Sequence, residues 1–128
     1  MVKIMVLMAG GAAGTLLRYL VSGVTFKLSC SDFPWGTLVV NLAGAFLIGL
    51  LWGSFRSDMW GQGTKLFVFT GLLGGFTTFS TYALDTVELV KNHDYRNAIW
   101  YVIASNLGGI ILAAAGYLLI RFTFAPKG

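Results

Sequence analysis

Gly74 to Tyr82 reads GGFTTFSTY. Two adjacent glycines precede the hydroxyls of Thr77, Thr78, Ser80, Thr81 and Tyr82, with Phe76 and Phe79 set among them. Hydroxyls can donate to an anion, and a phenyl ring presents a positive edge beside its negative face. A helix broken at Gly74-Gly75 would instead expose carbonyl oxygens, which suit a cation such as Na⁺. A packed, unbroken helix with back-bonded threonines is the third possibility. All three concern ions or packing, and none is a bond-breaking chemistry.

Other polar groups sit at helical spacing elsewhere. Thr37 and Asn41 are four apart, as are Tyr101 and Ser105, and Asn106 follows. Each pair shares a helix face. Asn41-Leu42-Ala43-Gly44 is echoed by Asn106-Leu107-Gly108-Gly109, with a glycine three residues after each amide. Arg18 is a lone charge in an apolar run. It either snorkels to an interface or lends a fixed positive charge to a wet vestibule that attracts anions. Asp85 and Glu88 follow the hydroxyl cluster at helical spacing, placed to cap that segment or pair with a basic residue.

Catalysis by a metal or an acid–base pair needs clustered His, Cys, Asp or Glu. The chain has one His (His93), one Cys (Cys30) and five scattered carboxylates. Gly10-Gly11-Ala12-Ala13-Gly14 is glycine-rich but has no lysine after it, so close helix packing explains it better than phosphate binding. The sequence therefore argues against an enzyme.

The elements that must hold these residues follow from composition. The 128-residue chain is 56% apolar and 11% charged, against roughly 25% charged in soluble domains. Only lipid can cover that much apolar surface. Four runs reach the ~20 residues a membrane helix requires: about 4–24, 35–55, 65–89 and 98–120. Short turn-rich connections leave room for a single domain, residues 1–128. The first run lacks a cleavage site followed by a soluble domain and reads as a span. Trp35, Trp52, Trp60 and Trp100 fall near span ends. The net charge of +4 is scattered at those ends, which argues against nucleic acid. Lys3, Arg56, Lys65, Arg121 and Lys127 lie on one side and Lys27, Lys91 and Arg96 on the other, so the positive-inside bias is weak.

With GGFTTFSTY in the third of four short spans, Asn41 in the second and Arg18 in the first, the chain resembles the Fluc (CrcB) family of bacterial fluoride channels over essentially its whole length. The resemblance implies an all-α integral membrane protein with its third helix broken at mid-membrane. It implies an antiparallel, dual-topology homodimer with two fluoride pores in the bacterial inner membrane, exporting fluoride passively. It implies a structural Na⁺ held at the dimer centre by backbone carbonyls, which match Gly74 and Thr77. The fluoride-contacting aromatics match Phe79 and Tyr82, where the family usually has a second Phe. Asn41 matches the pore asparagine. Thr37, Tyr101 and Ser105 resemble the polar track beside it, Ser80 and Thr81 match hydroxyls of the motif, and Arg18 resembles a vestibule arginine.

The leading alternative is a small dual-topology exporter of organic cations. It needs a carboxylate within the membrane, and only Asp85 is near enough to serve. A non-transporting subunit of a membrane complex would explain the glycine-rich packing faces but not the hydroxyl cluster.

Overall fold

The computed structural model describes residues 1–29, 31–54 and 60–124. Cys30, Arg56, Asp58 and Lys127 lie outside them. The described residues form helices: α1 (Val2–Ser29), α2 (Trp35–Gly53), α3 (62–76), α4 (Phe79–Lys91) and α5 (95–124). α3 and α4 together make the third of four segments long and apolar enough to cross a membrane. The expected spans are all present, and α1 and α5 run several residues beyond them. The last residue expected in the second span, Phe55, is outside the described residues.

Two stretches are wound more loosely than an α-helix. Leu66–Leu73 in α3 and Ala104–Gly108 in α5 are π-helical. A π turn shifts each backbone bond by one residue and locally re-aims side chains, often beside functional sites. Here the first leads into GGFTTFSTY and the second carries Ser105 and Asn106.

Glycines set the helix spacing. A methyl on Gly10 would lie 2.6 Å from the Phe67 carbonyl oxygen, and one on Gly71 would lie 2.9 Å from the Gly10 Cα. α1 and α3 thus touch backbone to backbone. α2 and α5 meet in the same way, since a methyl on Gly116 would lie 2.5 Å from the Phe46 carbonyl oxygen. Lipid tails are as apolar as leucine, so close van der Waals approach of this kind is what holds membrane helices together. The glycine-rich run at 10–14 is therefore a packing seam, as its composition suggested.

The turn between α4 and α5 closes with local bonds. The Asp94 N–H donates to the Leu89 carbonyl (2.9 Å) and the His93 N–H to the Val90 carbonyl (3.0 Å). This is a Schellman closure, with His93 at φ 59° in the left-handed position usually given to glycine. The Asp94 carboxylate then accepts from the Asn97 N–H and starts α5.

The buried cluster is small: Leu38, Leu89, Ala98 and Tyr101, with Phe33, Leu42, Tyr82 and Ala104 packed against it. It lies between α2, α4 and α5, beside the hydroxyl cluster. Elsewhere large apolar side chains such as Ile110, Leu119 and Phe122 point outward, which suits hydrocarbon and not water. The chain is a multi-pass membrane protein.

Candidate functional site

The third span breaks at Thr77 and Thr78, both extended (φ −84°, ψ 158° and φ −149°, ψ 114°). Gly74 and Gly75, where the break was expected, remain helical. Gly75 serves packing instead, because a methyl there would meet the Gly11 carbonyl at 2.6 Å. What opens the helix is a side chain from α2. Asn41 Oδ1 accepts from the Thr78 N–H (2.7 Å), and Asn41 Nδ2 donates to the Thr78 carbonyl (2.9 Å). The backbone partners can each play only one role, so they fix the orientation of the amide. Asn41 thus satisfies an extended residue as a neighbouring strand would.

Thr78 also caps α4. Its Oγ1 accepts from the Thr81 N–H (3.3 Å) and lies 2.9 Å from Thr81 Oγ1. Such a cap contributes about 1 kcal/mol. These bonds have a consequence for the end of α3. In a continuous helix the Thr78 N–H would reach the Gly74 carbonyl and the Thr81 N–H the Thr77 carbonyl. Both donors are diverted, the first to Asn41 and the second to the Thr78 hydroxyl. The Gly75 carbonyl is met by Arg18 Nε at 3.1 Å. A guanidinium at a helix C-terminus is favourable on dipole grounds as well. Arg18 is half-buried against the break and ties α1 to it.

Beside the break lies a cleft of about 380 Å³, lined by Asn41, Gly44, Gly74, Thr77, Thr78, Phe79, Tyr82, Ser105, Asn106 and Gly109 among others. Both amides of the repeated Asn-Leu-x-Gly pattern therefore face one space. Several donors there have no acceptor among the described residues. Asn41 Nδ2 carries a second N–H beyond the one given to Thr78. Ser105 Oγ is buried and has no hydrogen-bond partner among the described residues. The phenol of Tyr82 receives a bond from Asn106 Nδ2 (2.8 Å) and keeps its own proton. Phe79 is 77% exposed at the rim.

An aromatic ladder runs away from the cleft. Phe79 and Tyr82 have centroids 5.5 Å apart, Tyr82 and Tyr101 5.3 Å, Tyr101 and Phe33 5.6 Å, and Phe33 and Trp35 4.7 Å. Tyr101 is fully buried, and its hydroxyl donates to Asp85 Oδ2 at 3.0 Å. The partner of Asp85 is thus a phenol from α5 and not the basic residue or helix end that the sequence suggested.

The model of the family described as CrcB-like protein, Camphor Resistance (CrcB), matches residues 5–117. The chain belongs to the CrcB family. Among its relatives, the fluoride-specific ion channel FluC of Parabacteroides distasonis is 43% identical over 93% of each chain. The protein of that name from Helicobacter pylori strain HPAG1 is 43% identical over 88% of each chain. The one from Agrobacterium fabrum is 41% identical over 97% of this chain and all of its own.

Within this CrcB chain the residues singled out from sequence fall into two groups. Asn41, Phe79, Tyr82 and Ser105 meet at the cleft, with Gly74 and Thr77 at its edge. Arg18, Thr37, Ser80, Thr81 and Tyr101 do not line it. Thr37 and Tyr101 are buried behind it, Thr81 faces Thr78, and Ser80 is exposed. The sequence marks Asn106 only by its place in the echo and beside Ser105. Its bond to Tyr82 spans 24 residues and could not be read from local spacing.

Proposed function

We propose that this chain forms a fluoride-selective channel that passes fluoride passively out of the cell across the bacterial inner membrane. The observation that carries the reading is the set of donors beside one cleft that have no acceptor among the described residues: the second Asn41 N–H and the Tyr82 O–H, with Ser105, whose hydroxyl is buried and unpartnered, in the lining and the Phe79 ring at the rim. The names borne by its relatives agree with it.

Fluoride is small and strongly hydrated. It enters a narrow pore only if the wall replaces the donors it leaves in water. Hydroxyls, an amide and a ring edge are neutral donors, so they offer hydrogen bonds without the fixed charge that would trap an anion. Larger anions gain less from each such bond. No step makes or breaks a covalent bond, and the whole chain acts as one domain.

The assembly belongs to the same proposal. Phe79 stands outward from the protomer next to the cleft, and a second, antiparallel copy would complete the wall, giving two pores per dimer. The weak charge bias between the two sides permits both orientations. The carbonyls of Gly74 and Thr77, whose helical donors are diverted, fit a Na⁺ ion at the dimer centre. They are uncharged oxygens at the negative end of a helix. The ion would join the two broken helices. Arg18 would keep its place beside them and lend positive charge to the approach.

The reading is tested in a bacterium stripped of its own fluoride exporter. Expression of this chain is expected to restore growth in fluoride, and Asn41→Leu at equal membrane abundance is expected not to. Failure of the wild-type chain to rescue growth while present in the membrane would overturn it.

A further inference from the structure

Asn106 Nδ2 lies 2.8 Å from the Val102 carbonyl oxygen and 2.8 Å from Tyr82 Oη. A carbonyl oxygen only accepts, so the amide atom facing Val102 must be the NH₂ group and not the oxygen. One of its hydrogens goes to Val102 and the other to the phenol. The Tyr82 oxygen is therefore an acceptor in this pair, and Asn106 presents nothing there that could take the phenolic proton. The Tyr82 O–H is left to point elsewhere. Its ring is fixed by Phe79 on one side and Tyr101 on the other. The space it borders is the cleft that holds Asn41 and the unpartnered Ser105 hydroxyl.

The geometry points to Asn106 as the residue that positions Tyr82 as a hydrogen-bond donor to the permeating anion. An N–H donated to a phenol oxygen polarises its O–H and makes it a stronger donor. The pair is thus a preformed anion contact built from α4 and α5. The π turn at Ala104–Gly108 is where Asn106 sits, and it sets the angle at which the amide leaves α5. A donor of this kind favours an anion that accepts short, strong hydrogen bonds, and fluoride gains more from it than chloride. The inference rests on the cleft carrying an anion.

The test is fluoride release from liposomes over a series of internal fluoride concentrations. It compares wild type, Tyr82→Phe, Asn106→Leu and the double variant. Tyr82→Phe is expected to raise the half-saturating fluoride concentration roughly tenfold, the scale of one hydrogen bond to a charged group. Asn106→Leu is expected to shift it less and in the same direction. The double variant is expected to match Tyr82→Phe alone, because Asn106 acts only through the phenol. Replacing Tyr82 with 3-fluorotyrosine, a more acidic phenol of nearly the same shape, is expected to lower the half-saturating concentration, which a packing role would leave unmoved. If Asn106→Leu does not fold, Asn106→Ala takes its place in the cycle, and Tyr82→Phe with 3-fluorotyrosine still tests the phenol as a donor. Conducting wild type with Tyr82→Phe and 3-fluorotyrosine both unshifted would overturn the pair alone, as would additive effects in the double variant. Wild type that passes no anion would overturn the channel reading and this inference together.

Discussion

Asn41 and Thr78 are joined by two hydrogen bonds, 2.7 Å and 2.9 Å, between a side-chain amide and the backbone of one extended residue. That pairing lets a helix break inside a membrane without leaving the Thr78 N–H and carbonyl unsatisfied, a cost of several kcal/mol per group in hydrocarbon. It also turns a helix end, with its carbonyls and a capped second helix, toward the cleft.

Removing the pairing should therefore be costly twice over. Asn41→Leu is expected to destabilise the protein by about 2–6 kcal/mol, because two backbone groups lose their partners at depth, at about 1–3 kcal/mol each. It should also cut fluoride flux about tenfold or more, the equivalent of ~1.4 kcal/mol in barrier. Thermal unfolding in detergent and liposome efflux read the two effects separately.

Arg18 acts on the neighbouring carbonyl. Its Nε reaches Gly75 at 3.1 Å, so Arg18→Gln is expected to lower stability by about 1–2 kcal/mol, losing both a charge-assisted bond and a favourable helix-end charge. Salt should leave most of that loss intact, because the site is half-buried. A melting comparison at low and high ionic strength checks this. An effect that vanished in salt would mean that the charge acts only at long range.

Adjacent glycines on α1 separate packing from composition. A methyl on Gly10 would press on the Phe67 carbonyl, whereas one on Gly11 would meet nothing within 4 Å. Gly10→Ala is expected to cost about 1–3 kcal/mol through overpacking. Gly11→Ala should be neutral or stabilise by up to about 1 kcal/mol through helix propensity. Paired unfolding curves decide it.

Asp85 distinguishes a channel from a cation exporter. It accepts from the Tyr101 hydroxyl, and Asn at this position can still accept. Asp85→Asn is therefore expected to retain fluoride release. In an exporter that binds cations through this carboxylate, transport would collapse. Parallel assays of fluoride release and of organic-cation uptake check the outcome.

The four spans were legible because hydropathy reports burial in lipid directly. The seam at 10–14 was legible because only close backbone contact needs so many glycines. Other features were hidden for physical reasons. The break fell at Thr77-Thr78 and not at Gly74-Gly75, because Asn41 and the Thr78 cap open the helix while Gly75 is needed for its contact with Gly11. Tyr101 with Asp85, Arg18 with Gly75 and Asn106 with Tyr82 are long-range bonds between helices, and no local periodicity announces them. The residues of the π turns at Leu66–Leu73 and Ala104–Gly108 have the composition of ordinary helix, so no local signal marks them. At the site, residue types pointed to anion or cation binding, but only the geometry shows which donors are left without a partner.

The most direct test is release of potassium fluoride from liposomes reconstituted with the purified chain. Valinomycin balances charge, a fluoride electrode reads the release, and chloride-loaded vesicles serve as control. The account predicts fast, uncoupled fluoride release, with chloride retained and with no ATP or proton gradient required. Equal release of chloride, or none of either ion from protein that is folded and inserted, would contradict it.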